Sequence, residues 1–226
     1  MKKELYLFIV WQNARYKEEE ILKDISSNYD IAQVFEIKWS NDLFTQNLYR
    51  LYGKKLRKSL KKTNQVGFGE FLLVMIYDKC PQYKLEKNLN IISSKQKYRK
   101  MTGGGHLIHA SDNLEETEEH LLLMLGITGK EFEQRYQTPW QGDVIKINKD
   151  PVAAKGWKNE SSLISFIDKV DDCIISKDKK TNTIKTKDKS KICRLINASP
   201  SILSIINMYY IPMKKGNKLI RIEKTT

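Results

Sequence analysis

The run Phe71–Tyr77 (FLLVMIY) constrains the fold most, because seven uncharged residues are too few for a buried helix and suit a strand covered on both faces. Such a strand needs partners. Leu5–Trp11 (LYLFIVW) is equally aromatic and β-branched, and Ile31–Trp39 reads as another strand. Between these two, Lys17–Asn28 sets Ile21, Leu22 and Ile25 on one helical face. An acidic first turn of Glu18, Glu19 and Glu20 precedes them and complements the positive end of the helix dipole. Ser40 stands where an N-cap belongs, ahead of Leu43, Phe44, Asn47, Leu48 and Leu51 at helical spacing, and Gly53 ends that period.

Lys54–Asn64 is lysine-rich with few apolar residues and is expected to be a solvated loop or an irregular helix, and residues 79–102 are polar and basic without a clear period. A strand around His106–Ala110 then leads into a helix over Asn113–Gly126. Asp112 with Glu115 is expected to cap it, and Leu114, Thr117, Leu121 and Leu125 form its inward stripe. The order of elements suits an α/β sandwich of the ferredoxin-like type, one sheet covered by helices. The reading places this domain over residues 1–130 and a smaller basic C-terminal region over 131–226. Beyond Thr138 the pattern weakens. Trp157–Val170 suits a helix, Cys173–Ser176 a short strand and Ile192–Ile211 either, while Lys177–Ser190, almost without apolar residues, is expected to be an exposed, mobile loop. The four tryptophans, Trp11, Trp39, Trp140 and Trp157, are read as core or lid residues.

No apolar run approaches the roughly 20 residues that cross a bilayer, and the opening Met1–Val10 reads as a strand instead of a leader, so a cytoplasmic protein is expected. Cys80, Cys173 and Cys193 are odd in number and widely spaced, which argues against a disulfide framework and against a cysteine-built zinc site. The formal charge of +13 is uneven, since residues 141–226 hold 18 Lys/Arg against 9 Asp/Glu. Such a field speeds encounter with nucleotides, nucleic acids and other anionic polymers without choosing among them. The lysine-rich tracts lack the interleaved aromatics that stack single-stranded bases, so a solvated surface is the plainer reading of them.

All three histidines fall in Gly103–Leu125. Gly103, Gly104 and Gly105 permit close backbone approach to a ligand, and the amides of the helix start that follows can receive an anion. A histidine between those features is placed to meet a phosphate. No Gly-Lys-Ser/Thr ending follows the glycines, which excludes a Walker loop. A metal site built from His106, His109 and His120 is not expected, because residues three apart on a strand point to opposite faces.

His109-Ala110-Ser111-Asp112 followed by Asn113-Leu114-Glu115-Glu116-Thr117-Glu118 resembles the nucleoside diphosphate kinase motif, a His-Gly-Ser-Asp turn opening a helix that begins Ser-Val-Glu-Ser-Ala-Glu. The order of elements from residue 5 to about 126 is similar, and Tyr52, in Leu-Tyr-Gly-Lys-Lys-Leu, falls where the family keeps a tyrosine near its histidine. The resemblance implies that His109 accepts the γ-phosphoryl group of a nucleoside triphosphate and passes it on, with Mg²⁺ bridging the phosphate oxygens. It implies Ser111 and Tyr52 as hydrogen-bonding neighbours of His109, and Arg99 as a phosphate ligand. The family's lysine after the first strand is replaced by Trp11-Gln12-Asn13, leaving Arg15 or Lys17 as substitutes. His106 stands in place of an asparagine, and His120, beside Glu119, in place of the glutamate that orients the imidazole.

The alternatives left open are binding of a nucleotide or another phosphorylated small molecule without catalysis, a module holding nucleic acid or a phosphate-bearing polysaccharide, and an accessory transferase in surface polysaccharide assembly. Assembly into a homo-oligomer is compatible with each of them.

Overall fold

The computed structural model describes residues 3–53, 59–178, 181–201 and 206–225. The chain divides into two compact units, Met1–Asp150 and Pro151–Thr226. In the first, strand β1 (Glu4–Val10) is followed by a 3-10 turn (Gln12–Lys17), helix α1 (Glu18–Asn28), β2 (Asp30–Lys38), α2 (Asn41–Tyr52), α3 (Ser59–Val66) and β3 (Phe71–Asp78). A small hairpin, β4 (Tyr83–Lys84) with β5 (Lys87–Asn88), precedes α4 (Leu89–Met101), β6 (Ile108–Ala110), α5 (Leu114–Leu125), α6 (Gly129–Arg135) and β7 (Val144–Asn148).

The main sheet runs β6-β1-β3-β2-β7. Its first four strands are antiparallel to their neighbours, whereas β7 lies parallel to β2. The mixed α/β class expected from the sequence is therefore present. Every residue of β3 is buried, as a central strand with helices on both faces demands. On one face Phe8, Val10, Val74 and Ile76 pack with Ile21 and Ile25 of α1 and with Ile91 and Tyr98 of α4. Side chains of this size each contribute about 1.5–3 kcal/mol when fully removed from water. The alternate residues face an aromatic cluster in which Phe71 lies 4.7 Å from Trp11 and 4.8 Å from Trp39, ring centre to ring centre.

α1 keeps the acidic first turn and buries Ile21 and Ile25. Ser40 does stand at the N-terminus of α2, yet its hydroxyl does not cap that helix. It donates to Asp150, which also accepts from the Ser40 amide (2.9 Å) and from Asn47 Nδ2 (3.1 Å), so one buried carboxylate ties the end of this unit to the start of α2.

Residues 79–102 contain a full helix that the sequence reading passed over. The inward stripe of α4 is Ile91, Lys95 and Tyr98, and Lys95 belongs to it because its ammonium pairs with Asp112. The cap of α5 also differs from expectation. Asn113 Oδ1 accepts from the Glu116 amide, and the Glu116 carboxylate accepts from the Asp112 amide, each at 2.7 Å. Asp112 is thereby left to Lys95. The buried face of α5 carries Thr117, His120, Leu121 and Met124, while Leu114 is 46% exposed. Of the lysine-rich Lys54–Asn64, residues 54–58 lie outside the described residues and the rest belongs to α3.

The second unit has α7 (Glu160–Ile167), β8 (Cys173–Asp178), β9 (Thr181–Thr186), α8 (Lys189–Leu195), β10 (Ser199–Pro200), β11 (Met208–Met213) and β12 (Gly216–Lys224). Its sheet runs β10-β11-β12-β9-β8 around Ile184, Ile192, Ile211, Ile220 and Ile222. The expected loop at 177–190 is corrected here: β9 pairs with β8 on one side and with β12 on the other. Ile184 and Thr186 point inward, and two inward side chains with threonine-rich β propensity suffice for a strand that composition alone describes as polar. No helix among the described residues is long and apolar enough to cross a membrane.

Candidate phosphate-binding site

β6 is only three residues long, and its alternation decides where the site lies. Ile108 and Ala110 enter the core shared with α1 and α4, so His109 must project to the opposite face. There its ring meets Tyr52, at the end of α2, edge-on at 5.1 Å, and His120 of α5 at 4.9 Å. His109 is 7% exposed, and its Nε2 is buried with no hydrogen-bond partner among the described residues.

Burial pushes the His109 imidazole well below its ordinary pKa, and the neighbouring His120, Lys95, Lys62 and Arg99 push it the same way. It is therefore neutral at physiological pH. Lys62 Nζ donates to the carbonyl of His106 at 2.7 Å and lies 5.0 Å above the Tyr52 ring, and burial, reinforced by Arg99, lowers its pKa to about 7. Arg99 Nε donates to the Ile108 carbonyl at 3.0 Å, which anchors the guanidinium beside β6. Tyr52 accepts from Trp11 Nε1 at 3.1 Å, and burial holds its hydroxyl above the usual phenol range.

Ser111 serves a different purpose from the one the resemblance implied. Its Oγ accepts from the Leu7 amide (3.2 Å) and from Thr117 Oγ1 (2.8 Å), binding β6, β1 and α5 together. His106 lies before the strand with its ring exposed, and its pKa is lowered first by partial burial and then by Lys62 and Arg99. Gly103, Gly104 and Gly105 all have positive φ; at Gly105 (+73°) an added Cβ would lie 2.3 Å from Gln65 Nε2, so this turn needs glycine for conformation and for space alike. Two of the amides expected to greet an anion, those of Asp112 and Glu116, are already taken by the α5 cap.

Arg15 and Lys17 are not brought to His109. Arg15 pairs with Glu18 at 2.6 Å and with Glu36 of β2 at 2.7 Å, three strands across the sheet from β6, and Lys17 pairs with Glu20 at 2.6 Å. The structure instead places Lys62 over the Tyr52 ring and Glu116 beside His109 and His120, while Lys95 pairs with Asp112. One ligating atom of Glu116 lies within 4.8 Å of one on His109 and one on His120. The i, i+4 spacing of Glu116 and His120 was the signal available for that grouping, but its partner on β6 is fixed only by the sheet. A separate groove of about 790 Å³, lined by Tyr29, Tyr77, Tyr136, Trp140, Asp30 and Glu133 among others, holds Trp140, read from the sequence as a core or lid residue, and none of the expected phosphate-site residues.

No protein-family model and no curated protein matches this sequence. Among solved structures the chain is similar to the nucleoside diphosphate kinase of Aquifex aeolicus, at 16% identity and a TM-score of 0.39, over 57% of this chain and 99% of that one.

Proposed function

We propose that Met1–Asp150 is a ferredoxin-like, nucleoside diphosphate kinase-like sandwich that binds the phosphates of a nucleotide beside β6, with His109 as the group that receives the transferred phosphoryl. The observation that carries this reading is a neutral, buried imidazole on which Lys62, Lys95 and Arg99 all act electrostatically. A nucleophilic histidine must be unprotonated, and transferred phosphate needs positive charge to meet it. Lys62 would take up a proton as the phosphate binds, adding its charge to that of Lys95 and Arg99.

In the first step a lone pair of the His109 imidazole forms the N–P bond to the γ-phosphorus as the bond to the bridging oxygen breaks, and the nucleoside diphosphate departs with that electron pair. In the second an acceptor oxygen attacks phosphorus and frees the imidazole. Lys62 and Arg99 hold phosphate oxygens, while Tyr52 and His120 confine the ring. Mg²⁺, entering with the nucleotide, would supply charge neutralisation to the phosphates, and no side chain of this protein is assigned to hold it.

Incubation with γ-labelled ATP tests the reading. Acid-labile, alkali-stable label on the wild-type protein and none on His109→Ala is the expected result; equal labelling of both would refute it. A second reading draws on Pro151–Thr226 by itself, where 16 Lys/Arg face 7 Asp/Glu. A module that holds an anionic polymer on that unit would bind it with a steep salt dependence that His109→Ala leaves unchanged.

A further inference from the structure

We infer that His109, Glu116 and His120 form a binding site for one divalent transition-metal ion, with zinc the best chemical match. The site shares His109 with the phosphate reading but is argued from separate observations. Two imidazoles and one carboxylate are a donor set that zinc uses when it keeps a fourth position open to water or substrate. The three residues come from two elements that the fold holds rigidly. Glu116 and His120 lie one turn apart on α5, and His109 projects from β6 directly opposite.

Their candidate donor atoms already lie within 4.8 Å of one another. Ligands bonded to one zinc sit about 2.0–2.2 Å from it, so side-chain rotation of an ångström or so closes the set. A second, separate observation points the same way: His109 is more than nine-tenths buried and its Nε2 has no hydrogen-bond partner among the described residues. A buried polar atom left without a partner is costly, and native structures tolerate this where a ligand completes the site. Glu116 is held in place by the bond its carboxylate accepts from the Asp112 amide. That second-sphere contact fixes the carboxylate's orientation, as ligating carboxylates require.

The carboxylate is indispensable in this setting. Lys62, Lys95 and Arg99 oppose a dication, and Glu116 is the one anion in the donor set. An imidazole also has two nitrogens, so an ion on the side facing α5 leaves the other nitrogen of His109 available.

The test uses the full chain, stripped with EDTA and titrated with Zn²⁺ alone in competition with a chromogenic chelator, and with Co²⁺ to read coordination. One equivalent should bind, Co²⁺ should give the intense visible bands of a four-coordinate nitrogen and oxygen site, and Glu116→Gln and His120→Gln should each weaken binding at least tenfold. Circular dichroism and the thermal midpoint establish that each variant is folded. Glu116→Gln preserves the shape and the bond from Asp112, so it remains informative if the histidine variant does not fold. No stoichiometric binding by the wild type, an octahedral Co²⁺ spectrum, or affinity unchanged in Glu116→Gln would overturn the inference. So would binding lost on changing the exposed His106 instead. Phosphohistidine labelling is scored separately on the metal-free protein, so either idea can fail without the other.

Discussion

Lys62→Met is the perturbation through which the phosphate-binding reading is most exposed to measurement. In the free protein Lys62 is 9% exposed, and with a pKa of about 7 it sits more than three units below an ordinary lysine. At pH 8 such a lysine is about one-tenth protonated. A phosphate at hydrogen-bonding distance restores the preference for the charged form, so nucleotide binding must draw a proton from solution. The expected uptake is about 0.9 proton per nucleotide at pH 8, falling to about 0.1 at pH 6 where Lys62 is already charged. Isothermal titration calorimetry of ATP binding in two buffers of different ionisation enthalpy reads the number directly. The wild-type slope should exceed that of Lys62→Met by nearly one proton at pH 8 and by almost nothing at pH 6. Equal slopes at pH 8 would refute the placement of Lys62 against the phosphates.

The same lysine leaves a mark on stability without any ligand. The unfolded chain titrates near pH 10.4 and the folded one near 7, so between those values the unfolded state holds the extra proton and folding stability rises with pH. Below about pH 7 the burden of the buried charge is present in full, and its upper bound is about 5 kcal/mol at roughly 1.4 kcal/mol per pKa unit. Lys62→Met should flatten that rise in urea-denaturation midpoints taken between pH 7 and 10.

The remaining expectations concern how the site is held. Gly105→Ala forces a Cβ onto a positive-φ residue and into Gln65, and should cost about 1–2 kcal/mol in urea denaturation; adding Gln65→Ser should restore only the steric part, and full recovery would show that backbone conformation is not the constraint. Asp150→Ala deprives the Ser40 amide and hydroxyl and the Asn47 amide of a charged acceptor, and should destabilise Met1–Asp150 by about 2–3 kcal/mol, read from the loss of tryptophan fluorescence on denaturation.

Legibility in the sequence followed how far each signal reached along the chain. β1, β3 and α1 were plain, because a strand buried on both faces writes itself as an unbroken apolar run and an amphipathic helix repeats within four residues. α4 was hidden, because its middle inward position is a lysine whose acceptability depends on Asp112, a partner 17 residues away. β9 was hidden for a related reason, since its polar residues become a strand only between β8 and β12. The site divides along the same line. His109 could be singled out because glycines before it and an acidic helix start after it are local features. Lys62 and Glu116 could not, since what would make them matter is the projection of one residue of a three-residue strand toward Tyr52 and α5. Had β6 been displaced by one position, Ile108 would face His120 and Tyr52, and the imidazole would be buried among Phe8, Ile91 and Tyr98, away from Tyr52, His120 and Glu116. The proposed chemistry thus depends on strand register, and register is fixed by the pairing of Ile9 with His109 across β1.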